Sequence, residues 1–234
     1  MIWCFSSDRS AWLQRIGLGR AELRAWVLYD WANSVFVTTI IAAVFPIYFS
    51  SVAAATLPPA VATARFALAT TIACAIVALL TPMLGALADA KPIKKKMLAA
   101  FLGIGVGTTS LMVFIQRGDW LLACLLFVLA DIGAAGSFVF YDALLPHIAR
   151  DEEMDRVSIA GYAFGYLGGG LLLTLNLLCL QYPHAFGLAD EMAAARLSFL
   201  SVAVWWLVFA LPLFWYVPGP ARRTTAGEQY SDNP

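Results

Sequence analysis

Carboxylates are the side chains most out of place in this sequence. Asp131 stands in the middle of an apolar run covering 120–143. A charge near a bilayer midplane costs about 2.5–3.5 kcal/mol on insertion scales, so this group must face the inside of a helix bundle, paired, protonated or wetted. Two chemistries fit: a structural hydrogen bond between helices, or a carboxyl that exchanges a proton or touches a solute. Asp131, Ala135, Phe138 and Asp142 follow spacings of four, three and four and line one helical face. Asp142 lies about 16 Å further along at 1.5 Å per residue, where it reads as a gate or interface charge.

A second polar row runs through Asp30, Asn33, Ser34 and Thr38, all on one face at helical spacing, with Tyr48 further along it. Stacked polar groups on an apolar helix describe either the wall of a water-accessible cavity or a set of interhelical hydrogen bonds, each worth below about 1 kcal/mol. Gly161, Gly165 and Gly169 form a small-xxx-small row, and Gly103 and Gly107 repeat the spacing. Such rows let a neighbouring backbone approach closely, so packing is their expected role. Tyr162 and Tyr166, one turn apart beside the row, are candidate solute-facing aromatics.

These residues need elements to hold them. Of 234 residues, 61% are hydrophobic and only 13% charged, and the mean hydropathy is +0.77. The apolar residues gather into six runs, Arg24–Phe49, Ala64–Ala88, Lys96–Ile115, Trp120–Ala143, Val157–Leu180 and Arg196–Val217. Each is long enough to cross a hydrocarbon core about 30 Å thick as a helix. The chain therefore reads as an all-α, multi-pass integral membrane protein. Residues 1–23 read as an N-terminal segment with a short helix on the membrane surface, 24–217 as the six-helix domain and 218–234 as a tail. Pro46, Pro82, Pro146 and Pro212 fall near span ends, where a lost backbone bond is easier to tolerate.

Basic residues orient the bundle. Arg9, Arg15, Arg20, Arg24, Lys91, Lys94, Lys95, Lys96, Arg150, Arg156, Arg222 and Arg223 share one side, against Arg65, Arg117 and Arg196 on the other. The positive-inside rule then places both termini in the cytoplasm. The net charge is zero, which gives no footprint for nucleic acid. The four cysteines form no close pair, and His147 and His184 read as solvated loop residues. No metal site, cofactor loop or nucleophile pairing stands out, so a membrane enzyme is the poorest reading.

The segment from Gly85 through Asp89 and Pro92 to Lys94 and Lys95 resembles the signature between the second and third helices of the major facilitator superfamily, with Pro92 where that family usually has Gly. Tyr29-Asp30-Trp31-Ala32-Asn33-Ser34, Phe140-Tyr141-Asp142-Ala143-Leu144-Leu145-Pro146 and the stretch Ser158–Gly169 resemble its vacuolar-effluxer-like branch. Asp142 departs from a more usual Asn. The resemblance covers residues 24–217. It implies the N-terminal half of a major facilitator fold, six transmembrane helices in two three-helix inverted repeats. It also implies a transporter of a small, amino acid-like polar solute, in a bacterial inner membrane.

On that basis the expected function is a half-size secondary transporter working by alternating access, as a homodimer or with a separate second six-helix half. Asp131 would couple a proton. Asp30, Asn33, Ser34, Thr38, Tyr162 and Tyr166 would line the cavity, and Gly85, Asp89, Lys94, Lys95 and Asp142 would form the cytoplasmic gate. The competing expectation is a non-transporting protein that associates with a complete transporter. The only ligands expected are lipid, solute and a proton.

Overall fold

The computed structural model describes residues 13–14 and 17–219. Most of the expected surface helix in 1–23, and the tail from residue 220, lie outside the described residues. The six apolar runs become six long helices: α1 Ala21–Ala53, α2 Pro59–Ala90, α3 Lys94–Phe114, α4 Trp120–Ile148, α5 Asp151–Gln181 and α6 Glu191–Tyr216. Each is long and apolar enough to span a membrane. Short links make the helices alternate in direction. One end of the bundle, here the near end, holds the starts of α1, α3 and α5; the far end holds the starts of α2, α4 and α6.

Several helices extend beyond their apolar cores. The α5 helix begins at Asp151, not Val157, because Asp151, Glu152 and Glu153 occupy its first turn, where carboxylates meet the positive end of the helix dipole. Asp190 starts α6 by accepting the Ala193 N–H on its carboxylate at 2.7 Å, an N-cap that opens the helix before Arg196. In α1 the backbone widens into π-helical turns over Phe36–Val44 and Phe49–Ala53, on either side of Phe45–Tyr48. Pro46 lies between them, and a residue without an N–H forces its turn to be remade.

Packing follows a two-fold scheme. The α1 helix packs on α5 and α6, α4 packs on α2 and α3, and α3 touches α6. Exchanging α1 with α4, α2 with α5 and α3 with α6 maps these five contacts onto one another. That is the signature of two three-helix repeats in inverted orientation. A smaller α5–α6 contact has no comparable α2–α3 counterpart. The α1–α4 pair closes the scheme through stacked rings, Trp26 on Tyr141 at 4.4 Å and Phe45 on Phe127 at 5.1 Å.

Glycine sets the closest approaches. A Cβ on Gly133 of α4 would collide with the Gly105 backbone, and one on Gly105 would sit 2.6 Å from the Trp206 ring. In α3 the packing glycine is thus Gly105. Gly103 and Gly107 have open space where a Cβ would stand, which corrects the expectation that they form a packing row. The outer faces of α2 and α5 are bare, with Leu79, Met83, Ile159, Tyr162, Tyr166 and Leu167 exposed.

Candidate functional site

The polar row of α1 and the glycine row of α5 are one interface. A Cβ on Gly161 would meet Asp30 Oδ2 at 3.1 Å, one on Gly165 would meet Ser34 Oγ at 2.6 Å, and one on Gly169 would meet Thr38 Cγ2 at 2.8 Å. The three glycines and the three polar side chains keep the same order along the two helices. Ser34 Oγ donates to Asp30 Oδ1 at 3.4 Å, and Thr38 Oγ1 donates to the carbonyls of Ser34 and Gly169, both at 3.2 Å. Asp30 is 7% exposed and Asn33 is 1% exposed, so here the row faces a neighbouring helix. Neither amide atom of Asn33 has a hydrogen-bond partner among the described residues.

The carboxylates of α4 lie on a different surface. Asp131, Ala135 and Phe138 are half-buried and Asp142 is exposed, so the face they share is only partly covered by the bundle. Neither Asp131 nor Asp142 makes an ion pair among the described residues. Asp30 follows Tyr29 and Asp142 follows Tyr141, whose rings stack at 4.7 Å across the α1–α4 contact. There Trp26 Nε1 also donates to the Tyr141 carbonyl at 3.1 Å. Tyr162 and Tyr166 are 66% and 77% exposed and stand on the bare side of α5.

At the near end, the residues assigned to a gate separate into two groups. Gly85 has open space around it, and Asp89 is exposed without an ion-pair partner among the described residues. The lysines are engaged. Lys94 is buried; its Nζ donates to the Ala143 carbonyl at 3.0 Å and lies 2.6 Å from His147 Nε2, which must accept. Lys95 Nζ donates to the carbonyls of Phe214 and Val217 at 2.9 and 2.7 Å. The first turn of α3 thus satisfies orphan carbonyls at the Ala143 break within α4 and at the end of α6. His147, expected to be a solvated loop residue, sits in the helical turn Leu145–Ile148 against that ammonium.

The far end repeats the device with partners exchanged. Arg196, in the second turn of α6, donates to the Ile115 carbonyl that ends α3 at 3.1 Å, and Tyr48 Oη donates to the same oxygen at 2.8 Å. The start of α3 therefore caps the end of α6, and the start of α6 caps the end of α3. Sequence reasoning counts Arg196 only as a charge on the far side. The available signal is its placement early in the sixth span, mirroring Lys95 early in the third.

A cavity of about 580 Å³ opens at the far end between α1, α5 and α6. Tyr48, Ser51, His184 and Glu191 line it with apolar side chains of all three helices, and none of the carboxylates singled out above reaches it. Among the described residues no three His, Cys, Asp or Glu side chains gather as a metal site would require.

Comparison with known proteins places this arrangement. Residues 55–233 match the family model described as vacuole effluxer Atg22 like. An uncharacterized MFS-type transporter of Bacillus subtilis, YxiO, is 35% identical over 195 residues, covering 82% of this chain and 46% of its own. Autophagy-related protein 22 of Pyricularia oryzae is 23% identical over 72% of this chain and 32% of its own length. Its namesake in Neurospora crassa is 32% identical over 101 residues. The chain spans about half or less of the length of these relatives, and no solved structure matches it. With six apolar helices in two inverted repeats and this family match over most of its length, the chain belongs to the Atg22-like vacuole effluxer family of major facilitator transporters.

Proposed function

We propose that this chain forms one six-helix half of a secondary transporter that moves a small, amino acid-like solute by alternating access. A second six-helix unit, another copy or a separate second half, covers the open face. The observation that supports this most is the partly uncovered α4 face carrying Asp131, in a two-repeat bundle about half as long as its relatives. Two copies with their near ends on the same side pair about an axis normal to the membrane, and the positive-inside rule puts those ends in the cytoplasm of a bacterial inner membrane.

In this reading Asp131 couples a proton, because its surroundings change from wet to dry as the shared cavity opens and closes. Asp142, Asp89, Gly85, Lys94 and Lys95 form the cytoplasmic gate, the two lysines as its fixed frame. Tyr162 and Tyr166 face the second unit and the solute. Asp30, Asn33, Ser34 and Thr38 join the solute path when α1 shifts along the glycine row of α5, whose lack of side chains permits sliding.

The test is flux. The chain is reconstituted into liposomes under an imposed pH gradient, alone and with a second six-helix half supplied, and uptake of a labelled amino acid mixture is followed. The expected result is gradient-driven uptake that Asp131→Asn abolishes while the variant still purifies as a single folded species. Unchanged proton-dependent flux in Asp131→Asn overturns the coupling role. No flux from either preparation overturns the transport reading.

A further inference from the structure

A second pocket of about 320 Å³ lies at the near end, between the entry to α1 and the first turns of α5. Its lining includes the guanidinium side chains of Arg20, Arg150 and Arg156 with the Glu153 carboxylate, so among the described residues its charged lining is three cations against one anion. The acidic residues Asp151, Glu152 and Asp155 do not line it.

The walls are fixed. Gly17, at φ +80°, lies so close to α5 that a Cβ there would meet Val157 at 3.2 Å and Arg156 at 3.4 Å. Arg24 holds the same turn by donating to the carbonyls of Leu18 and Gly19, each at 3.1 Å. Arg20 donates to Glu153 at 2.7 Å and to Glu22 at 3.2 Å, tying the entry of α1 to α5. Arg150 and Arg156 make no ion pair among the described residues, and both remain exposed. Both α1 and α5 begin here, so two helix N-termini add their partial positive charge.

We propose that this pocket binds the phosphodiester headgroup of an anionic phospholipid, held by Arg150 and Arg156 against the frame set by Arg20 and Glu153. A guanidinium presents paired donors that match two phosphate oxygens. Depth selects lipid over a free anion. The pocket opens where two helices long and apolar enough to span a membrane begin, which sets it at headgroup depth, and the buried Leu23 forms part of its lining. Basic pockets between transmembrane helices at a membrane surface suit such headgroups, with a contribution of about 1 kcal/mol per arginine, or about fivefold in affinity. A lipid bound here bridges α1 and α5, the pair that meets through the glycine row.

The test is lipid retention by the full chain in neutral detergent. Native mass spectrometry follows mixing with micelles of phosphatidylglycerol or of phosphatidylcholine, and thermal unfolding is recorded on the same samples. Wild type should retain phosphatidylglycerol in preference to phosphatidylcholine and unfold at a higher temperature with it. Arg150→Gln and Arg156→Gln should each lower retention about fivefold. The double Lys variant, which keeps the charge but loses the paired donors, should retain more than the double Gln variant. Arg117→Gln, at the far end, should change nothing. Equal retention by wild type and the double Gln variant overturns the site, as does equal loss in Arg117→Gln. Equal thermal protection by inorganic phosphate assigns the pocket to a soluble anion and overturns the lipid. None of these outcomes depends on whether the chain transports.

Discussion

The α1–α5 and α4–α2 contacts are equivalent under the exchange of the two repeats, yet they are built from opposite materials. On α5 the contact is bare glycine, and α1 answers with a carboxylate and two hydroxyls. On α2 the buried positions are alanines, Ala62, Ala69, Ala73 and Ala88, and the interface is filled by rings, with Phe66 5.4 Å from Phe127 and 6.2 Å from Phe45. Arg65 over Trp120 at 5.1 Å adds a cation–π contact at its far end. Within lipid, helices associate through packing and hydrogen bonds instead of the hydrophobic effect. The ring-filled contact gains from interlocking shape. The glycine contact gains from close approach and from the Thr38–Gly169 hydrogen bond across it, and leaves polar groups that can exchange partners. One fold thus holds a locked interface and a smooth one in symmetry-related places.

The sharpest way to break this contrast is to add a side chain to the smooth interface. Gly165→Leu places atoms where Ser34 Oγ and Asp30 already stand, at 2.6 and 3.1 Å from the first added carbon. Overpacking should cost about 3 kcal/mol and separate α1 from α5. Gly107→Leu adds the same group into open space and should be close to neutral. Thermal unfolding of both variants in one detergent decides it; equal midpoints would mean that α1 and α5 do not depend on close approach. The locked interface should fail in the opposite sense, by removal. Phe127→Ala leaves a void among Phe45 and Phe66, and a cavity on the order of 100 Å³ costs about 2 kcal/mol. A variant as stable as wild type would show that the rings merely fill space that neighbours can reclaim.

Both sides of the smooth interface were legible before the structure, but their meeting was not. The Asp30, Ser34 and Thr38 row and the glycine row each follow from helical spacing, whereas nothing local says that one faces the other. The error at Gly103 and Gly107 has the same origin. Spacing finds a row of small residues, but rotation of the helix about its axis, set by Trp206 and Gly133, decides which glycine is pressed. Helix ends drifted for another reason. Hydropathy marks the membrane-embedded part, and the charged turn from Asp151 is helical because its carboxylates suit a helix start. The partners of Lys94, Lys95 and Arg196 are backbone carbonyls, which leave no mark in a sequence.

Those carbonyl contacts show where the repeats agree, and they permit the finest test. The α3–α6 pair maps onto itself under the exchange, so the Lys95 clamp at the near end and the Arg196 clamp at the far end are equivalent positions. Each carries a cation from a helix start to the terminal carbonyl of its antiparallel neighbour. A charged hydrogen bond of this kind contributes about 1.5 kcal/mol, so Lys95→Met and Arg196→Met should lower stability by similar amounts. The two sites lie at opposite ends of the bundle with no shared partner, so the double variant should show the sum of the two losses. Denaturant unfolding of the two single variants and the double variant measures this. A much larger loss at Lys95 would mean that the near-end clamp supports more than its own pair, through Lys94 and the Ala143 break of α4 beside it. The equivalence of the repeats would then hold for their geometry and not for their energetics.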